Sequence, residues 1–201
     1  LGVADSLAAL EPLIGKRKFS VDPRFENAVL MPGFIDPHVH PMQSAVMLNL
    51  PFVAPEDWAL PSHSYKGAQT PAAYRKRLKA ELARSKADPF ICWGHHELFH
   101  GPIDRKMLTQ IATDRAVIIW QRSFHEVIIN DAAMKLWGLT DRAAFDALVR
   151  AGHADPAHAD YDKGIFSETA LLAAIGKMRP YLVTPELIQR GMTEMQRMML
   201  A

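Results

Sequence analysis

Val29-Leu-Met-Pro-Gly-Phe-Ile-Asp-Pro-His-Val-His-Pro41 is the stretch on which the reading of the fold depends. A short apolar run ends in two histidines one residue apart. Such a run suits a strand buried on both faces, as in a parallel sheet. In a strand, side chains at i and i+2 leave the same face, so His38 and His40 are expected side by side at the strand end. Two imidazoles so placed can bind one cation. Asp36 precedes them on the same face, where a carboxylate can orient an imidazole. Pro37 and Pro41 bracket the pair and stiffen its backbone. By itself, a His-x-His is a weak and usually incidental pattern.

Its context gives it weight. Pro32-Gly-Phe-Ile-Asp-Pro-His-Val-His-Pro41 resembles the signature of the amidohydrolase superfamily, metal-dependent hydrolases built on a (β/α)8 barrel. The resemblance implies that His38 and His40 are metal ligands at the end of the first barrel strand. It implies one or two divalent ions, with zinc first and iron or manganese as alternatives. Farther along, Trp93-Gly-His-His96, His100-Gly-Pro-Ile-Asp-Arg105, Arg122-Ser-Phe-His-Glu126 and Asn130-Asp-Ala-Ala133 resemble the amidohydrolase-3-like branch, which hydrolyses amide or formamide bonds. That likeness implies a substrate contact by His125, just after the third strand. Lys163-Gly-Ile-Phe-Ser-Glu168 resembles the branch's Gly-hydrophobe-x-x-Glu segment, which makes Glu168 the catalytic candidate, as metal ligand or proton acceptor. By residue chemistry alone, His125 is one polar residue at a strand end. Glu168 is equally a first-turn glutamate supporting the helix after it.

The expected fold is α/β: an incomplete (β/α)8 TIM barrel, its first three to four βα units spanning 29–201. Residues 1–28 are expected to be the tail of a preceding small β-sandwich. The barrel can begin only near Val29, whereas eight βα units take about 250 residues, and the chain has 201. In the family, the remaining ligands and a catalytic aspartate come from later strands. The expectation is therefore a C–N hydrolase as a full-length protein, with these residues alone inactive. The competing reading is a non-catalytic barrel piece that needs a second copy or a missing C-terminal half.

Composition narrows the rest. A net charge of +1 without a basic stripe argues against nucleic acid. No window approaches ~18 uninterrupted apolar residues, so no membrane helix is expected. The lone Cys92 rules out an internal disulfide and suits a reducing, cytoplasmic compartment, although a chain beginning at Leu1 leaves an upstream segment open. The partner expected is a small-molecule substrate.

Local patterns assign the elements. Lys18–Asp22 alternates like an edge strand, and Pro51–Thr70, rich in Pro, Ser and Gly, reads as a long loop on the catalytic face. Thr70-Pro71 opens a helix carrying Tyr74, Leu78 and Leu82 on one face. Pro89–Gly94 is the second strand, followed by a loop with His95, His96 and His100. At the end of a barrel strand, His96 and His100 are candidates for substrate contact. Trp93 and the aromatic-flanked His125 suggest a pocket for an apolar or aromatic group. Arg115–Gln121 is the third strand, Asn130 caps a helix over 131–137, and Gly138 closes it. Phe145, Leu148 and Val149 mark a short helix, and His153 and His158 sit in an exposed loop. Thr184-Pro185 starts a final helix whose stripe of Leu187, Ile188, Met192, Met195, Met198 and Met199 is expected to be core.

Overall fold

The computed structural model describes residues 4–29, 31–33, 35 and 38–200. It divides into two units, residues 1–39 and 40–201. In the first, Ser6 caps helix α1 (Leu7–Ile14) by accepting from the Ala9 N–H. Lys18–Asp22, expected as an edge strand, is not in a ladder. An alternating segment becomes a strand only when a neighbour takes up its backbone groups. The strand expected through Val29–Pro41 is likewise not seen at the described positions of that stretch. Leu30, Phe34, Asp36 and Pro37 lie outside the described residues, and with them the expected role of Asp36.

The second unit opens with α2 (Pro41–Met47), whose first turn is set by Pro41. The next segment departs from the expected loop. Phe52, Val53 and Ala54 are buried, and Phe52 bridges to Trp93 in parallel. The Val53 N–H donates to the Trp93 carbonyl (2.9 Å), and the Trp93 N–H to that of Pro51 (3.0 Å). An apolar run this short between prolines hides its strand character in the surrounding Pro/Ser/Gly composition. The rest of the segment forms a hairpin, β1 (Trp58–Ala59) and β2 (Ser64–Tyr65).

Helix α3 (Pro71–Arg84) has the expected Thr70 cap and buries Tyr74 and Leu78. Strand β3 (Phe90–His95) leads into the single turn α4 (Glu97–His100) and then α5 (Arg105–Ile111), which Asp104 caps through the Met107 N–H (2.7 Å). Strand β4 (Val117–Gln121) pairs in parallel with β3. Strand β5 (Glu126–Ile129) then turns straight back antiparallel, as a connection this short requires. Helices α6 (Asp131–Leu136) and α7 (Arg142–Ala151) come next, then β6 (Ala159–Asp160) and β7 (Ile165–Ser167), which extend the sheet antiparallel. The order is β3-β4-β5-β7-β6, a mixed sheet in place of the all-parallel one expected. Helices α8 (Glu168–Leu182) and α9 (Pro185–Leu200) complete the described chain.

Alternating strand residues feed two cores. Ile91, Trp93, Ile118, Trp120, Val127 and Ile129 face Ala133, Phe145, Val149, Ala170 and Met178 of α6–α8. Phe90, Cys92, Val117, Ile119 and Ile128 face Tyr74, Leu78 and Leu108 of α3 and α5. Each large apolar side chain so buried contributes about 1.5–3 kcal/mol, which makes the sheet the rigid base of this unit. The methionine stripe of α9 is less buried than expected: Gly191 and Glu194 are its buried residues, while Met198 and Met199 are exposed. Among the described residues, no helix is long and apolar enough to cross a membrane.

Candidate functional site

The C-terminal ends of β3 and β4, with the β4–β5 turn, gather most of the polar side chains singled out in the sequence. A β-bulge shapes this edge. The β3–β4 register shifts between Trp93 and His95, with Gly94 at φ +120°. A Cβ on Gly94 would lie 2.9 Å from the Val53 carbonyl, so backbone conformation and close approach both call for glycine. The extra residue re-aims the next side chain. His95 packs with Tyr74 and His100 in the α3-side core instead of facing the Trp93 side.

His100 is buried, stacked on Tyr74 at 4.3 Å. Its Nδ1 accepts the His96 N–H (3.0 Å), which leaves the proton on Nε2 to be donated to the Ala68 carbonyl (2.6 Å). Both ring nitrogens thus hold the scaffold together. Burial lowers its pKa, as it does that of His95, which is pushed down to about 4. His96 is half-buried against Phe99, and its Nδ1 is buried without a hydrogen-bond partner among the described residues. Trp93 is buried amid Phe52, Trp58 and Phe124.

His125 and Glu168, 43 residues apart in sequence, come together. His125 Nδ1 lies 3.2 Å from Glu168 Oε2, and the Glu168 N–H donates to the His125 carbonyl (3.0 Å). A carboxylate only accepts, so the imidazole proton sits on Nδ1, leaving the Nε2 lone pair for a proton or an electrophile. Both side chains are substantially exposed. The backbone here is strained: Phe124 at φ 65° and Glu168 at φ 44° are non-glycine residues in the left-handed region. Each lies at or beside the pair, which the β5–β7 ladder (Glu126 opposite Ser167) holds in register.

The neighbourhood includes residues that sequence reasoning passed over. The Arg122 guanidinium pairs with Glu56 (2.7 Å), and the Arg122 N–H donates to the His95 carbonyl (2.8 Å), tying the hairpin to this edge. Burial works to raise the Glu56 pKa, but the Arg122 hydrogen bond and charge leave it lowered. Glu126, bonded by the Gln121 amide (3.3 Å), has its pKa raised by burial and then by the Glu97 charge. Its signal was its place beside His125 in the Arg-Ser-Phe-His-Glu run.

His38 and His40 are exposed; His38 lies in the first unit and His40 opens the second. The His40 carbonyl accepts the Ser44 N–H (2.9 Å), beginning α2. Among the described residues, no three His, Cys, Asp or Glu side chains are grouped so as to hold a metal ion.

Comparison with known proteins shows the family. Residues 25–159 match the model of the Amidohydrolase family. An uncharacterized metal-dependent hydrolase from Pyrococcus horikoshii OT3 aligns over 80% of this chain and 28% of its own, with 24% identity and a TM-score of 0.51. One from Pyrococcus furiosus aligns over 85% of this chain and 30% of its own, with 17% identity and a TM-score of 0.49. The chain thus spans less than a third of the solved structures it matches. No curated protein matches it significantly. On the family model, which covers most of its length, the chain belongs to the amidohydrolase family.

Proposed function

We propose that this chain supplies the first three to four βα units of a (β/α)8 metal-dependent hydrolase that cleaves C–N bonds of amide or formamide type. The observation that carries the reading is the His125–Glu168 pair, formed across 43 residues at the end of the sheet where barrel catalytic groups collect. Family membership supplies the reaction class.

His38 and His40 would hold a divalent metal, zinc being the ion best suited to imidazole and carboxylate donors, with iron or manganese as alternatives. When bound, such an ion polarises a carbonyl and acidifies water. The remaining ligands would come from outside the described residues. Glu168 is the proton acceptor, or a further ligand. It holds His125 in the tautomer whose Nε2 can meet a substrate carbonyl or leaving nitrogen. His96 would make a secondary substrate contact, a reading supported by its Nδ1, which has no hydrogen-bond partner among the described residues. His100 acts through the scaffold, fixing the His96 backbone.

The test is kinetic. In the longer protein, Glu168→Gln should lower kcat for aryl or alkyl amides about 10²- to 10⁴-fold with little change in KM. His38→Ala should lower both metal content and activity. Full activity in Glu168→Gln would remove Glu168 from the mechanism. A second reading, a non-catalytic barrel piece that works only with another chain or a C-terminal half, is favoured by the lack of a three-ligand cluster among the described residues. It predicts that the 201-residue polypeptide binds zinc only weakly and hydrolyses nothing until that partner is added.

A further inference from the structure

Trp93 and Trp120 are register partners across β3 and β4, only 3% and 6% exposed. The Phe124 ring lies against both: 5.5 Å from Trp93 and nearly parallel (26°), 5.4 Å from Trp120 and edge-on (79°). Phe52 and Trp58 also pack against Trp93, at 4.9 and 5.6 Å. Two features of this cluster are unfavourable as they stand. The indole N–H groups of Trp93 and Trp120 are buried without an acceptor among the described residues, whereas Trp58 donates to Glu56 (3.3 Å). A buried donor without a partner forfeits its hydration and gains nothing in return. Phe124 covers them from a left-handed backbone conformation (φ 65°) that a bulky residue adopts only when its surroundings impose it.

We infer that Phe124 is a displaceable cover over an aromatic slot between Trp93 and Trp120, whose ligand is a planar aromatic ring carrying a hydrogen-bond acceptor such as a carboxamide oxygen. A ring of that class replaces the stacking Phe124 now provides, and its acceptor satisfies an indole N–H. Displacement exposes the Phe124 ring, a cost that the new hydrogen bond to a buried indole and the release of the left-handed backbone at Phe124 offset. His125 comes directly after Phe124, so movement of the cover brings the ligand beside the His125–Glu168 pair. That this ligand is the substrate's own aryl group rests on the hydrolase reading; occupation of the slot does not.

The experiment uses the protein labelled with ¹⁵N in its tryptophans, with the indoles of this chain assigned by single Trp→Phe substitutions, and titrates it with benzamide. Acetamide and cyclohexanecarboxamide serve as comparisons, one lacking a ring and the other planarity. The Trp93 and Trp120 indole N–H resonances should shift with benzamide and not with the other two. Trp137, whose indole N–H also lacks a partner among the described residues but which packs against Phe166 (5.9 Å), should stay in place. Phe124→Gly, which suits the backbone conformation and removes the ring, should bind benzamide about tenfold more tightly. Unmoved Trp93 and Trp120 resonances, or equal shifts with cyclohexanecarboxamide, overturn the slot. So does a Phe124→Gly variant that binds no better. Because the readout is binding, an active enzyme with silent indoles sinks only the slot. Shifts in a protein without hydrolase activity sink only the substrate assignment.

Discussion

His95 shows how far one misjudged side chain can matter. Strict alternation along β3 would put it on the Trp93 side, but the Gly94 bulge turns it into the α3-side core. There its Nε2–H donates to the Gly101 carbonyl (3.0 Å), and its Nδ1 is buried with no partner among the described residues. A charged imidazole would place a second N–H in that apolar setting, so burial depresses the pKa to about 4. Unfolded histidine titrates near 6.5. Between those values the unfolded chain binds a proton that the native ring refuses, so native stability falls as pH drops from about 6.5 to 4. Below that window both states are protonated and the loss stops. The shift corresponds to about 3 kcal/mol. His95→Gln keeps a donor for the Gly101 carbonyl without a titrating ring. Urea midpoints at pH 7 and 4.5 should therefore converge in the variant relative to the parent, and equal pH slopes would show that His95 is not buried as described. Nothing in the His95-His pair of the sequence reveals this, because a bulge is a single-residue event set by how closely Gly94 approaches Val53.

At the scale of elements, the boundaries written in local chemistry were legible. Thr70, Asn130 and Thr184 cap their helices through the N–H three residues on, and Gly138 closes α6 at φ +75°. Strands β3 and β4 were legible as apolar runs. Strand β5 and the Phe52–Ala54 segment were not, since runs of three or four residues carry too little period to separate strand from loop. Asn130 does more than its pattern promised. Its Oδ1 accepts from the Val117 and Ala133 N–H groups (2.9 Å each), and its Nδ2 donates to the Ala112 and Arg115 carbonyls (2.9 Å each). One fully buried amide thus joins the start of β4, the end of α5 and the first turn of α6. Asn130→Ala leaves four backbone groups without that partner and should cost about 3–5 kcal/mol. Asn130→Asp keeps the acceptors but turns an oxygen toward two carbonyls, so it should recover little. Denaturant unfolding decides the matter, and a loss below ~1 kcal/mol in Asn130→Ala would mean the network is not formed.

Across the whole second unit, the last helix comes back to the first. α9 packs on α2, and the buried Glu194 carboxylate accepts the Ser62 N–H (2.7 Å) and the Ser62 hydroxyl (2.5 Å) across 132 residues. The apolar stripe expected from the sequence is buried only in part, with Leu187, Ile188, Met192 and Met195 half-buried and Met198 and Met199 exposed; the fully buried residues of α9 are one glycine and one carboxylate, neither visible as a hydrophobic period. Gly191 explains the close approach. A Cβ there would fall 1.9 Å from the Ala45 carbonyl oxygen and 2.6 Å from its carbon, and Ala45 is itself fully buried. Two effects of opposite sign therefore meet in Gly191→Ala. Alanine favours a helix interior by about 1 kcal/mol over glycine, and this gain alone would stabilise the protein. Against it stands a clash with backbone, which no rotamer change relieves, so α9 must move off α2 and give up the Glu194–Ser62 bonds with the packing. The clash should win, leaving the variant destabilised by about 2–4 kcal/mol. Hydrogen exchange should then show faster opening of α2 and α9 while β3–β5 stay protected. A Gly191→Ala protein more stable than its parent would instead show that the two helices do not touch at this crossing.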